Sequence, residues 1–263
     1  MTIAGSDPSA GAGIQADLKT FAALGVYGTS VITAITVQNT QGVFRVEALS
    51  PELVAAQIDA VVSDIGADVV KTGMLADATI VEVVAAKLRQ YGLTEVVVDP
   101  VLEAKGGVTL LSADGLAVLR KQLLPQALVV TPNVAEASTL VGRSLDGWDD
   151  LRQAAREIAE MGARNVVITG GHLQGPPTDL FFDGRQFHEF AAPRVDTDNT
   201  HGTGCTFASA IAAALAKGSS PQQAVATAKA YVTKALQMSY PVGRGQGPVH
   251  HFFRYWQDIR QQA

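Results

Sequence analysis

The chain has a single cysteine, Cys205, in 263 residues. A lone thiol forms no internal disulfide and builds no zinc site of several thiolates, so whatever Cys205 does, it does alone. Charged residues are scarce as well, at 17% with a net charge of -5, and Lys and Arg form no cluster. A face that grips phosphodiester backbones needs such a cluster, so no nucleic acid partner is expected. No segment approaches the roughly 18 uninterrupted apolar residues of a membrane helix, and no membrane partner is expected either. Met1 runs at once into the strand-like TIAG, which leaves no room for a basic and then apolar leader; the expectation is a cytoplasmic protein. Gly-Lys-Ser and Gly-Lys-Thr are missing, which excludes a P-loop NTPase. Internal repeats and low-complexity tracts are absent too.

What is present is an alternation of two patterns. The chain is 47% hydrophobic and long enough to bury roughly three quarters of its unfolded surface, so one domain over residues 1–263 is expected. Strand-length apolar runs rich in β-branched residues recur at VYGTSVITAITVQ, ADVVK, EVVVDP, ALVVTP and NVVITGG. Between them, ELVAAQIDAVVSDI, ATIVEVVAAKLRQYG, ADGLAVLRKQLL and LRQAAREIAEMGA carry apolar residues at three and four spacing, the second and fourth ending near a glycine. Strands that are apolar throughout need cover on both faces. The predicted fold is therefore α/β, a three-layer α/β/α sandwich with a mostly parallel central sheet. TDLFFDGRQFHEF breaks the pattern: its two runs flank Asp183-Gly184, which predicts an antiparallel edge hairpin closed by a type I′ turn. HLQGPP before it and PVGRGQGPVHHF near the end are expected as loops.

Three stretches could carry chemistry. In NTHGTGCTFASAIAAALAKG, Gly202, Thr203 and Gly204 precede a helix with the stripe Phe207, Ile211 and Leu215 and a stop at Lys217-Gly218, so the helix starts at or beside Cys205. Free amides at such a start make an anion site. The same field predicts a Cys205 thiol below its usual value of about 8.5 and makes it a candidate general base. The plainer reading is close helix packing around a small buried thiol. In AGSDPSAGAGIQADLKTF, the hexapeptide GAGIQA fits the dinucleotide pattern, yet no acid follows about 20 residues on to hold a ribose. Asp17 there either points into a cleft or complements the helix dipole. In VVTPNVAEA, Asn133 and Glu136 have the spacing of a capping box, and equally that of two groups arranging water around Mg²⁺ on a nucleotide. Asp99 ends EVVVDP where open α/β sheets place ligand sites, suited to metal or phosphate. His250-His251 reads as a surface or packing pair.

Taken together, TIAGSDPSAGAGIQADLKTFAALGVYG, SVITAITVQNT, KTGML, VVVDPV, TPNVAEA, GGH, NTHGTGCT and GPVHHF resemble the hydroxymethylpyrimidine and hydroxymethylpyrimidine-phosphate kinases of the ribokinase-like superfamily along essentially the whole chain. The resemblance implies ATP- and Mg²⁺-dependent phosphorylation of 4-amino-5-hydroxymethyl-2-methylpyrimidine and of its monophosphate, in a homodimer. It implies that Gln38 pairs with the pyrimidine edge, an amide offering both donor and acceptor, with Gly5, Asp17 and Met74 completing that pocket. It implies that Cys205 is the base where relatives elsewhere in the superfamily have Asp, with Gly202, Thr203 and Gly204 in the turn that stabilises the transferring group. Asp99, Asn133 and Glu136 would serve the metal, and Thr169 and Gly171 the nucleotide. The chain departs from the usual pattern in Thr169, where Lys precedes Gly-Gly-His in many relatives, and in Glu103 and Gly106; Lys105 is the candidate to compensate. Relatives show more residues ahead of the first strand, so the natural start is expected upstream. A pyridoxal or pyridoxine kinase is the nearest alternative, and a non-catalytic nucleotide or pyrimidine sensor and an NAD-linked oxidoreductase built on GAGIQA are the more distant ones.

Overall fold

Alternate residues of the central strands feed two separate cores, which is why these strands read as unbroken apolar runs. In β5 (Val96–Val98), Val96 and Val98 enter one core and Val97 the other; in β7 (Asn165–Ile168), Val166 and Ile168 part from Val167 in the same way. A computed structural model describes residues 1–103, 109–171 and 175–256.

The order along the chain is β1 (Thr2–Ser6), α1 (Gly13–Ala23), β2 (Ser30–Asn39), β3 (Gly42–Ala48), α2 (Pro51–Asp64), β4 (Val70–Thr72), α3 (Ala78–Gln90) and β5. Next come α4 (Ala113–Val118), which runs on through a π turn at Leu119–Leu123, then β6 (Val129–Val130), α5 (Val134–Val141), α6 (Trp148–Glu160) and β7. The chain finishes with β8 (Thr178–Phe182), β9 (Phe187–Ala191), α7 (Thr203–Ala216) and α8 (Pro221–Gln237). The sheet order is β3-β2-β1-β4-β5-β6-β7-β8-β9, parallel from β2 to β7 and antiparallel at both edges. Phe21, Ile211 and Tyr231 place α1, α7 and α8 on one face, while Ile58, Ile80, Leu140 and Ile158 place α2, α3, α5 and α6 on the other. The three layers follow as expected.

Two details differ from the sequence reading. The β8–β9 hairpin forms, but only Gly184 has a positive φ, 88°, whereas a type I′ turn needs two such residues. The Asp183 carboxylate closes the turn instead, accepting the amides of Arg185 and Gln186 at 2.8 and 2.6 Å. A second antiparallel edge, β3, was not expected. Its hairpin lacks the Asn-Gly or Asp-Gly pair that announces one, and uses an Asn39 side chain accepting from Gln41 N–H at 2.8 Å. A register shift between Val37 and Gln38 breaks the β2–β3 ladder, and such a bulge re-aims the side chain beside it. Residues 172–174 of HLQGPP lie outside the described residues.

Candidate active site

The side chains singled out from sequence gather at the carboxyl ends of the parallel strands, where an open α/β sheet leaves a crevice. Gly5 belongs to β1, Gln38 is the penultimate residue of β2, Met74 follows β4, Asp99 follows β5, Asn133 follows β6 and Thr169 follows β7. A Cβ on Gly5 would stand 3.3 Å from the Met74 sulfur, so these two residues are neighbours. An open groove of ≈ 410 Å³ lined by Ser9, Asn39, Thr40, Val242 and Arg244 borders this end.

α7 begins at Thr203, which puts Cys205 in its first turn. Its cap is Gly202 in the left-handed conformation, φ 76°, and a Cβ there would lie 1.7 Å from the Gly11 carbonyl oxygen. Only glycine lets the two loops interlock so closely. Among the described residues the amides of Gly204 and Cys205 have no protein acceptor, so they remain open to an anion.

Cys205 itself corrects an expectation. Burial, reinforced by Asp99 and Asp17, pushes its thiol up to about 12, outweighing Lys71 and the amide of Gly13, which pull it down. In this environment the helix start does not yield a standing thiolate at neutral pH. The Asp99 carboxyl that acts on it is itself pushed up to about 6, chiefly by burial and against the pull of Lys71.

Asp17 is the second correction. It neither faces a cleft nor sits in the first turn of α1: it is fully buried and accepts from Thr2 Oγ1 and Ser209 Oγ, each at 2.6 Å, and from Lys71 Nζ at 3.0 Å. Burial alone would lower the Lys71 ammonium, yet the charges of Asp17, Cys205 and Asp99 hold it above its ordinary value. Lys71 Nζ also lies 4.0 Å from Asp99. Asp17 therefore anchors Lys71, a buried cation that also acts on Asp99 and Cys205. The sequence reading passed over Lys71, although a lysine closing the apolar run ADVVK was a visible signal.

Asp7 and His201 were also missed. Asp7 Oδ1 accepts from Ser9 N and Oγ at 2.8 and 2.7 Å, Oδ2 from Gly11 N and Ala12 N at 3.2 and 2.8 Å, and His201 Nε2 lies 2.8 Å from Oδ2. Those amides are the ones a dinucleotide pyrophosphate would need at GAGIQA, and an internal carboxylate has taken them. The oxidoreductase reading has no phosphate site to stand on. His201 continues to Gln38 at 3.3 Å, joining the glycine turn before α7 to the residue expected to read the substrate.

At the nucleotide end, Asn133 and Glu136 form the capping box: Asn133 Oδ1 accepts Glu136 N–H at 3.0 Å and Glu136 Oε2 accepts Asn133 N–H at 2.9 Å. Burial and the facing Asp99 carboxylate push Glu136 up to about 8. No cluster of three or more His, Cys, Asp or Glu suited to a metal exists among the described residues. Two carboxylates that repel each other nevertheless suit Mg²⁺, which keeps several waters and takes the rest of its oxygens from phosphates. Thr169 bridges Asn133 backbone to backbone, and Gly171 O accepts from Arg194 at 3.1 Å. The neighbouring Gly170 N–H donates to Asp179 at 3.1 Å, and Asp179 is paired with Lys229 at 2.9 Å. Lys105, Gly106 and His172 lie outside the described residues. His250 and His251 are a packing pair and not a surface one: both are buried, with His251 Nε2 3.1 Å from Thr206 Oγ1.

Comparison with known proteins gives this geometry a lineage. The family model for phosphomethylpyrimidine kinase matches residues 7–250. The chain is 52% identical to the hydroxymethylpyrimidine/phosphomethylpyrimidine kinase of Rhizobium meliloti, covering 98% of each. It is 51% identical to a thiamine biosynthesis bifunctional protein of Geobacter sulfurreducens over all of this chain, which spans 54% of that longer relative. Among solved structures, pyridoxal kinase of Bacillus subtilis in complex with ADP is similar at a TM-score of 0.88 and 39% identity, covering 95% of both chains. With a ribokinase-like sheet, a glycine-capped anion turn and matches of this length and identity, the chain belongs to the phosphomethylpyrimidine kinase family of phosphotransferases.

Proposed function

We propose that this protein transfers the γ-phosphoryl group of ATP to the hydroxymethyl oxygen of 4-amino-5-hydroxymethyl-2-methylpyrimidine, and then phosphorylates the monophosphate to the diphosphate used in thiamin biosynthesis. The observation that carries the reading is that the open Gly204 and Cys205 amides, the Cys205 thiol and the Asp99 carboxyl that acts on it lie at the same strand ends as Gln38. The amides of the turn hold negative charge on the group in flight. Gln38, Gly5 and Met74 hold the ring. As the hydroxyl oxygen attacks phosphorus, its proton passes to the Cys205 sulfur while the S–H proton passes to Asp99, so one O–H and one S–H bond break as one S–H and one O–H bond form. An Asp99 raised to about 6 suits that acceptor role, and Lys71 beside it limits the charge that builds up.

Asn133, Glu136 and Asp99 would hold Mg²⁺ through its waters, and the ion, when bound, neutralises the phosphate oxygens. Thr169 and Gly171 border the nucleotide. A homodimer fits the exposed apolar outer face of β2 and β3, where Ile35, Val37 and Phe44 are 44, 54 and 66% exposed. A cytoplasmic location fits the finding that no described helix is long and apolar enough to cross a membrane.

The pyridoxal kinase reading keeps a claim through the solved relative in complex with ADP. One experiment weighs both: incubation with ATP and Mg²⁺ and either the aminopyrimidine alcohol or pyridoxine, with mass detection of products. Mono- and diphosphate from the aminopyrimidine are expected. Pyridoxine phosphate alone would replace the proposed substrate.

A further inference from the structure

Thr36, Gln38, His201 and Asp7 form a line of polar contacts in which the number of available protons decides the geometry. His201 Nε2 lies 2.8 Å from Asp7 Oδ2. Burial raises the Asp7 carboxyl, but hydrogen bonds from His201, Ser9 and Ala12 win and hold it down to about 2, so it is ionised and only accepts. Nε2 of His201 therefore carries a proton whether the ring is neutral or charged, and has no lone pair for the Gln38 amide nitrogen 3.3 Å away. At the other end, the Thr36 hydroxyl has one proton and lies 2.9 Å from the Ser6 carbonyl oxygen, which can only accept. Once that proton is committed, the 3.2 Å contact between Thr36 Oγ1 and Gln38 Oε1 sets lone pair against lone pair.

A half-turn of the Gln38 amide about its last torsion exchanges nitrogen and oxygen while every other atom stays in place: an amide N–H then meets a Thr36 lone pair, and the amide oxygen takes the weaker branch of a His201 Nε2–H whose stronger branch goes to Asp7. We propose that Asp7, acting through His201, and the Thr36 hydroxyl are positioning residues that hold the Gln38 amide with its nitrogen toward Thr36 and its oxygen toward His201. Thr36 then uses its hydrogen on Ser6 and a lone pair on the amide, and His201 shares one N–H between Asp7 and the amide oxygen. One N–H and one lone pair are left on the amide for a ligand, the complement of an amino group beside a ring nitrogen. The orientation rests on proton counts alone; its use for an aminopyrimidine rests on the function proposed above.

The orientation is read directly by nuclear Overhauser effects in ¹⁵N-labelled full chain. Gln38 amide protons are expected to show cross-peaks to the Thr36 γ-methyl group; cross-peaks to the His201 ring protons instead would overturn the proposal. Kinetics supply the second reading. Thr36→Val and His201→Ala are each expected to raise KM for the aminopyrimidine about tenfold while kcat and KM for ATP stay within about twofold, and Thr36→Ser keeps the wild-type KM. A Thr36→Ser variant as impaired as Thr36→Val would sink the hydroxyl's role. If the wild-type protein ignores the aminopyrimidine, the substrate assignment fails, and the cross-peaks still decide the orientation.

Discussion

Lys71 Nζ lies 3.0 Å from each carboxylate oxygen of Asp17, and both side chains are wholly buried. Taking either partner away strands a charge in a dry core. We expect Lys71→Met to cost about 3–5 kcal/mol in urea unfolding, and Lys71→Met with Asp17→Asn to recover about 2 kcal/mol of that. Because Lys71 also faces Asp99, the double variant should regain stability without regaining turnover. Recovery of full activity would reduce Lys71 to a structural ion.

The raised Cys205 thiol has a chemical signature. Alkylation of the free protein by iodoacetamide should keep accelerating beyond pH 10, with no plateau near 8, since the thiol is pushed up to about 12. A midpoint below 8.5 would restore the thiolate expected at the helix start. Cys205→Ala should lower kcat by ~10²-fold or more, and an unchanged kcat would hand the proton to another acceptor.

Gly202→Ala tests the interlock of the two loops. The added methyl group would meet the Gly11 carbonyl in a backbone conformation that disfavours side chains, at a cost of about 3 kcal/mol or more. Displacing the anion turn by even a fraction of its contacts should cut turnover by ~10²-fold. A stable, fully active variant would refute the close approach of these segments.

The two readings of Glu136 can be separated. Glu136→Gln keeps a group able to accept Asn133 N–H, so stability should stay within about 1 kcal/mol, while the Mg²⁺ concentration for half-maximal rate rises. Asn133→Ala removes the cap and should cost about 1 kcal/mol. An unchanged Mg²⁺ requirement in Glu136→Gln would leave the residue as a cap alone.

His251 contributes a pH dependence of known sign. Burial, aided by Lys19 and the neighbouring histidines, pushes it down to about 3, so between there and its ordinary value of 6.5 the unfolded chain binds the extra proton. Stability from this group is full above pH 6.5 and falls with pH, by about 2 kcal/mol between pH 7 and 5. Asp99 and Glu136, whose carboxyls are raised, act in the opposite direction, so the measurement is the difference between wild type and His251→Gln. Parallel melting curves at both pH values would contradict the neutral, buried ring.

Much of this protein is determined by local rules. Continuous apolar runs alternating with three-and-four spacing required a parallel sheet covered on both faces, because strands such as Val96–Val98 leave no polar face for water. Asn133 and Glu136 had to cap α5, since both partners lie within one turn of the same backbone. The position of Cys205 in the first turn of α7 could be read from Gly202 to Gly204 for the same reason.

Tertiary structure alone decided what those residues experience. Asp17, Lys71 and Asp99 come from α1, β4 and the end of β5, and the burial that raises the Cys205 thiol, reinforced by the two carboxylates and opposed by Lys71, appears only when these segments pack. Asp7 read as one more loop residue until the fold brought the Ser9, Gly11 and Ala12 amides and His201 onto it, across nearly two hundred positions of chain. Propensity and hydrophobic period act over a few residues, whereas the charge state of a buried group is summed over every neighbour the fold assembles around it.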